Sequence, residues 1–426
     1  MAEKPPEPVM SDEKDRPQDV KQPVRPRLLQ VLGPGLITGA SDDDPSGIAT
    51  YSQAGAQFGF DLGWVMLFSW PLMCAIQEIA ARIGRVTGRG LAGTIKQHFP
   101  APVLYVLVLL LVVANTINLG ADLGAMGAAL QLLIGGPALA YVAAFGVVTA
   151  LLEIFVRYSR YVSVLKWLTL FLFAYVATLF MVKVQWGEAL RSFVVPSVHW
   201  DKDYLTTVVA VLGTTISPYL FFWQASQEAE DIRTLPARQI LKRAPKQGEG
   251  ALNRIQLDTF VGMGFSNLIA LAIMITAAAT LHANNVTDIR TSAQAAEALR
   301  PIAGSFAETI FALGVIGTGL LSVPVLAGSA AYAVGEARKW PTGLSRQPME
   351  AKAFYAVICI ATIVGMIMNF TPVDPIRALY WSAVINGVVA VPVMAIMMWL
   401  AATPKVMGEF AVTGWVKTLG WGATAS

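Results

Sequence analysis

Three consecutive carboxylates, Asp42, Asp43 and Asp44, stand in an otherwise apolar stretch and run directly into Pro45-Ser46-Gly47. A charged side chain inside a membrane span costs about 2.5–3.5 kcal/mol on insertion scales, so such residues persist where an ion, a cavity or a function compensates. Pro45 has no backbone N–H, which leaves carbonyls of the preceding turn, around Ser41, without their usual helical partner. Freed carbonyls beside a carboxylate make a hard-oxygen site suited to a divalent cation, and Asp44 is the residue expected to touch the ion. Asp42 and Asp43 are expected at a mouth of the path or turned to water. A second interrupted stretch, Gly213-Thr214-Thr215-Ile216-Ser217-Pro218-Tyr219, can add a carbonyl from Thr214 and a hydroxyl from Ser217. Asp122 and Asn386 also fall inside apolar runs and are candidates for a permeation path, with interhelical hydrogen bonding as the alternative role. The same alternative holds for Gln77, Gln224 and Gln227. Glu78 and Glu228 lie near the ends of their runs, where each could reach Arg82 or lipid headgroups.

The elements that must hold these residues are membrane helices. The chain has 426 residues, of which 55% are hydrophobic and only 14% charged, with a mean hydropathy of +0.56. Soluble domains carry about 25% charged residues. Apolar stretches run over 31–57, 61–83, 101–134, 137–156, 163–185, 204–228, 257–281, 306–334, 353–371 and 376–401, which makes ten expected spans. Residues 1–30 are expected to be a disordered cytoplasmic tail, because they are rich in Pro and charge and carry no apolar segment of the signal-peptide kind. The segment 402–426 is expected to be cytoplasmic, and 410–425 reads as a stub too short and polar to span. Of the 31 Lys and Arg residues, 25 fall in the tail and the loops on its side and six on the other side. That bias puts both termini in the cytoplasm of a multi-pass protein of the plasma (inner) membrane.

The two interrupted helices are the first and the sixth, five spans apart and of opposite direction. Five plus five spans of opposite topology, with broken helices in matching positions, point to an inverted-repeat transporter. The repeats would cover about 31–185 and 204–401, within a ten-helix core of 31–401. Other classes are poorly served. Cys74 and Cys359 sit in apolar runs, so neither a disulfide scaffold nor a paired-cysteine metal site is offered. His98, His199 and His282 fall between apolar segments. A net charge of +3 gives no footprint for nucleic acid. The partners expected are a divalent metal ion and the lipid bilayer, with no resident cofactor and no enzymatic activity; the oligomeric state is open, a monomer being sufficient.

Several stretches resemble the NRAMP family of divalent metal transporters: Gly33-Pro34-Gly35 through Thr50, Ala80-Ala81-Arg82 to Thr87-Gly88, Asp122-Leu123, Phe311-Ala312-Leu313-Gly314 and Met407-Gly408-Glu409-Phe410. The likeness covers about 31–411. It implies a leucine-transporter-type fold, all helical, with a metal site where the first and sixth helices unwind. The family's first-helix motif Asp-Pro-Gly-Asn reads Asp44-Pro45-Ser46-Gly47 here, so its asparagine ligand position is Gly47. Its sixth-helix motif Met-Pro-His reads Ser217-Pro218-Tyr219, and Thr214 falls where the family uses a backbone carbonyl. The third-helix aspartate is kept as Asp122, while Ala125 stands in place of a glutamate.

These departures have a chemical direction. Serine for a thioether removes a soft ligand that favours transition metals, and Gly47 with Ser217 would leave a roomier pocket. Mg²⁺ dehydrates reluctantly and suits a roomy site with few carboxylates. Loss of the histidine and the glutamate removes two groups able to carry a proton. The sequence therefore looks like the NRAMP-related magnesium transporter branch, which implies import of Mg²⁺, with Mn²⁺ also accepted, driven by membrane potential without proton coupling. The alternative is a proton-coupled Mn²⁺/Fe²⁺ importer of the conventional type. An amino-acid–cation symporter would find its carboxylate substrate repelled by Asp42–Asp44, and an intramembrane aspartyl protease would lack its Gly-x-Gly-Asp signature.

Overall fold

The computed structural model describes residues 38–39, 41–156, 168–235, 237–372 and 374–426. The tail expected over 1–30 and part of the fifth span lie outside them. The described residues are helical with short connections. In chain order the helices are α1 (Pro45–Phe58), α2 (Gly63–Thr87), α3 (Leu91–His98), α4 (Ala101–Ile134), α5 (Ala138–Phe155), α6 (Phe173–Thr178), α7 (Trp186–Val194), α8 (Lys202–Thr215), α9 (Pro218–Thr234), α10 (Gly248–Thr280), α11 (Ser292–Glu297), α12 (Arg300–Ala303), α13 (Ala307–Arg338), α14 (Lys352–Met368), α15 (Pro375–Ala402), α16 (Pro404–Met407) and α17 (Gly414–Ala425). Among the described residues, seven helical stretches are long and apolar enough to cross a membrane, with α8 and α9 counted as one. The first, fifth and ninth expected spans fall below that length: of the first, residues 31–37 and 40 lie outside the described residues and α1 has 14 residues, the fifth is described only from 168, and α14 has 17 residues.

Packing follows the two-fold logic of the sequence. The first broken helix lies against α10, the long helix that comes after the second broken helix. The second half of the second broken helix, α9, lies against α2, the helix that comes after the first broken helix. Both contacts are made backbone to backbone through glycine. A side chain on Gly55 would fall 2.2 Å from the Met274 carbonyl oxygen, and one on Gly84 would fall 2.2 Å from that of Ala225. Small residues are what allow membrane helices to approach this closely, since lipid gives no hydrophobic drive to press them together. The long helices α4 and α13 pack together at the centre, and α8 packs on α15. Leu109, Val113, Val147, Ile363 and Val388 keep apolar side chains on the outside, as a lipid-facing surface requires.

The two ends of the bundle differ. At the end where α8 begins, a cavity of 390 Å³ is lined by Gln53, Asp203, Asp288, Arg377, Tyr380 and Trp381. Ala49 and Ile376 line both this cavity and a smaller one beneath it, which reaches down to Pro45. The opposite end is held shut by carboxylates, Glu78, Glu228 and Glu230 buried and Glu336 half-buried. Glu336 of α13 accepts from the Gly93 amide at 2.8 Å, in the first turn of α3, and from the Ser226 hydroxyl of α9 at 3.0 Å. Amides in a first helical turn have no intrahelical acceptor, so a carboxylate is well placed there. Glu230 of α9 accepts from the Ser345 amide at 2.7 Å, the Leu344 amide at 3.2 Å and the Tyr332 hydroxyl. Arg254 of α10 pairs with Glu228 at 2.6 Å, and Arg82 with Glu78 at 2.7 Å. Glu78 thus takes the partner expected from sequence, whereas Glu228 takes Arg254 in place of Arg82. The stub over 410–425 contains a regular helix, α17, which packs on α2 and α15; Gly420 lets it sit against Met398 and Ile79.

Candidate metal centre at the two helix breaks

The first break is built by Pro45. Proline cannot donate its N–H, and it disfavours helical dihedrals in the residue before it. Residues 41–42 are helical, the helix opens at Asp43 and Asp44, and α1 restarts with Pro45 at its first position. Asp44 is the N-cap, extended at φ −70° and ψ 170°; its Oδ1 accepts the Gly47 amide at 2.7 Å. An aspartate N-cap followed by proline is a preferred way to start a helix. Its other oxygen, Oδ2, accepts from Asn118 Nδ2 of α4 at 3.0 Å. Asn118 Oδ1 in turn accepts from the Ser382 hydroxyl of α15 at 2.8 Å. Asp44 is buried, and three helices fix its carboxylate.

The second break repeats the backbone device with different side chains. α8 ends at Thr215, Ile216 and Ser217 leave helical geometry, and α9 restarts at Pro218. Here the N-cap serine makes no forward cap. The Ser217 hydroxyl turns back to the Gly213 and Thr214 carbonyls, at 2.8 and 3.0 Å. The Thr214 carbonyl is the one whose helical partner would have been the N–H that Pro218 lacks. By the same count Pro45 frees the Ser41 carbonyl, and this one accepts the Tyr219 hydroxyl at 3.0 Å, from the other break. Each proline-freed carbonyl is therefore held by a hydroxyl.

The sequence candidates separate on this geometry. Asp44, Ser41, Tyr219, Thr214 and Ser217 converge around the two breaks. Asp42 and Asp43 are not turned to water: both are buried, and Ser266 of α10 lies 2.6 Å from Asp42 Oδ2 and 3.1 Å from Asp43 Oδ1. Asp122 is buried one turn beyond Asn118 on α4, takes the Ser322 hydroxyl on Oδ2 at 2.8 Å, and leaves Oδ1 without a partner. Asn386 is buried on α15 with its Oδ1 unpartnered. The roominess expected at Gly47 is not found. A side chain there would meet Tyr51 Cε2 at 3.2 Å, the Thr214 hydroxyl oxygen at 3.3 Å and the Asp42 carbonyl at 3.4 Å, because Tyr51, one turn on, fills the space. The histidines stay away from the breaks: His98 contacts the Thr94 carbonyl, His282 the Ala56 carbonyl, and His199 faces Asp61. Among the described residues no group of three or more His, Cys, Asp or Glu side chains gathers into a metal cage.

Asn118, Ser266, Ser322, Ser382 and Tyr51 are the residues that sequence reasoning missed. One signal was available. Asn118 precedes Asp122 by four residues, so the two share a helical face.

Seven membrane-crossing helical stretches among the described residues, two proline-broken helices and a buried carboxylate at the first break define a membrane transporter of the leucine-transporter type. The chain belongs to the Nramp (natural resistance-associated macrophage protein-like) family, whose model matches residues 35–426. It is similar to the divalent metal cation transporter MntH of Klebsiella pneumoniae, 28% identical over 405 residues that make up 93% of this chain and 91% of the relative. In fold it is similar to the Eremococcus coleocola manganese transporter. One structure of that protein, in complex with an aromatic bis-isothiourea substituted compound, superimposes with a TM-score of 0.72 at 17% identity, covering 93% of this chain and 84% of that one. A single-substitution variant gives 0.73 at 18%, covering 96% and 87%.

Proposed function

We propose that this protein carries divalent metal cations across the membrane by alternating access, with Mn²⁺ among its substrates. The observation that carries the reading is Asp44, a buried carboxylate at a helix break flanked by the proline-freed carbonyls of Ser41 and Thr214. A partly hydrated cation would enter through the cavity lined by Asp203 and Asp288, pass the Pro45–Ala49 floor, and take the Asp44 carboxylate. The Ser217 and Tyr219 hydroxyls would exchange their carbonyl partners for the ion, and rocking of the broken helices against α4 and α13 would open the end closed by Glu230 and Glu336. The membrane potential would assist with about 2.3 kcal/mol per charge per 100 mV.

The metal and the coupling ion follow from different observations. The relatives named for divalent metal cation and manganese transport favour Mn²⁺, and buried Asp122, one of its oxygens unpartnered, is the group able to take a proton if transport is proton-coupled. The atoms on offer to an ion are the Asp44 carboxylate, the Ser41 and Thr214 carbonyls and the Ser217 and Tyr219 hydroxyls, all hard oxygens that suit Mn²⁺ and Mg²⁺ alike. That favours a second reading, Mg²⁺ as a further substrate without proton movement. Uptake of Mn²⁺ into proteoliposomes, with Mg²⁺ as competitor and a pH dye inside, separates the two. Acidification with uptake indifferent to millimolar Mg²⁺ supports the first; suppression by Mg²⁺ without acidification supports the second. Absence of Mn²⁺ uptake above empty liposomes overturns the proposal.

A further inference from the structure

We propose that Asn118 is a specificity-determining ligand, whose amide turns to give the cation the oxygen that Gly47 cannot. The inference rests on the cation-carrying role proposed above for Asp44. Asn118 is fully buried, and its nitrogen donates to Asp44 Oδ2 at 3.0 Å while its oxygen accepts from Ser382 at 2.8 Å. The Ser382 hydroxyl also lies 2.7 Å from the Leu379 carbonyl, which Ser46 reaches at 3.1 Å as well. In the observed orientation Ser382 donates to Asn118 and Ser46 covers Leu379. With the amide turned by half a rotation, its nitrogen donates to Ser382 and Ser382 donates to Leu379. A hydroxyl is both donor and acceptor, so the Ser382 side accepts either orientation.

The choice is therefore made on the Asp44 side. A bare carboxylate accepts the N–H group and repels the amide oxygen. A divalent cation on Asp44 Oδ2 reverses both preferences, and the turned amide places a neutral hard oxygen on the ion. The helix that carries the amide is held in register one turn away. There Asn115 donates to the Leu326 carbonyl at 3.0 Å and to the Ser329 hydroxyl at 2.7 Å, both on α13. An asparagine ligand absent from the first helix is in this way available from the third.

The test is calorimetric titration of the full-length protein in detergent with Mn²⁺ and with Cd²⁺, for the native chain and for Asp44→Ala, Asn118→Ala and Asn118→Cys. Melting temperatures without metal check that each variant is folded. Asn118→Ala should weaken Mn²⁺ binding by about tenfold or more, the loss usual when a group supporting a metal site is removed. Asn118→Cys should raise the ratio of Cd²⁺ to Mn²⁺ affinity by about tenfold, because sulfur favours the softer ion only where it touches it. An unchanged ratio in Asn118→Cys, with binding lost in Asp44→Ala, overturns the inference and leaves the transport reading standing. Native affinity in Asp44→Ala overturns both.

Discussion

The two helix breaks use one backbone device and different chemistry. In each, proline at the first position of the restarting half frees the carbonyl four residues earlier. At the first break the N-cap is a carboxylate that reaches forward to Gly47 and sideways to Asn118. At the second the N-cap is a hydroxyl that folds back on its own helix at Gly213 and Thr214. The first break is tied to α4, α10 and α15 by side chains, whereas the second is tied to α15 by direct backbone approach at Gly213. An inverted repeat can thus keep a symmetric scaffold while concentrating the charge of its candidate site in one half.

Substitutions that exchange the properties of the two breaks test this contrast. The largest effect is expected for Asp44→Ala, which should abolish Mn²⁺ uptake in proteoliposomes while the variant still elutes as a folded species. Retained flux would mean that the second break carries the ion. Gly213→Val should destabilise by about 1–3 kcal/mol, the usual cost of overpacking, because its side chain would meet the Ala383 carbonyl oxygen at 2.1 Å. A fall in melting temperature is the measure, and an unchanged one would show that the α8–α15 contact is loose. Ser266→Ala removes the hydroxyl beside Asp42 and Asp43 and should cost about 1–3 kcal/mol, as for buried acceptors left without a donor. Denaturant or thermal melts of the detergent-solubilised protein would read it. Smallest is Tyr219→Phe, which removes the hydroxyl that bonds the Ser41 carbonyl across the two breaks. It should cost about 0.5–1.5 kcal/mol, with uptake reduced and not lost.

The two helix breaks around the candidate site were legible in the sequence and their supporting contacts were not. Asp44-Pro45 and Ser217-Pro218 announce a break because proline acts on the residues beside it, whatever the tertiary context. The amide on Asp44 comes from Asn118, 74 residues away. Asparagine in a membrane helix reads first as an interhelical tie, and only its register with Asp122 marks this one. Gly47 misled for a related reason. A missing side chain suggests space, but Tyr51 fills that space from one turn along the same helix. Glu228 was expected to reach either lipid headgroups or Arg82, four residues beyond Glu78 on the neighbouring helix. It found Arg254 on α10, a pairing that depends on how three helices meet. The positions of Asp42 and Asp43 were likewise decided by Ser266 on a distant helix.

The closed end has a consequence for how the transporter responds to heat. Glu336 and Glu230 are held there by the amides of Gly93, Leu344 and Ser345 and by the hydroxyls of Ser226 and Tyr332. A motion that opens this end has to release those bonds together before water can replace them, which makes the step costly in enthalpy and favourable in entropy. Turnover limited by it should climb steeply on warming, while equilibrium binding at Asp44, buried away from this clamp, changes little over the same range.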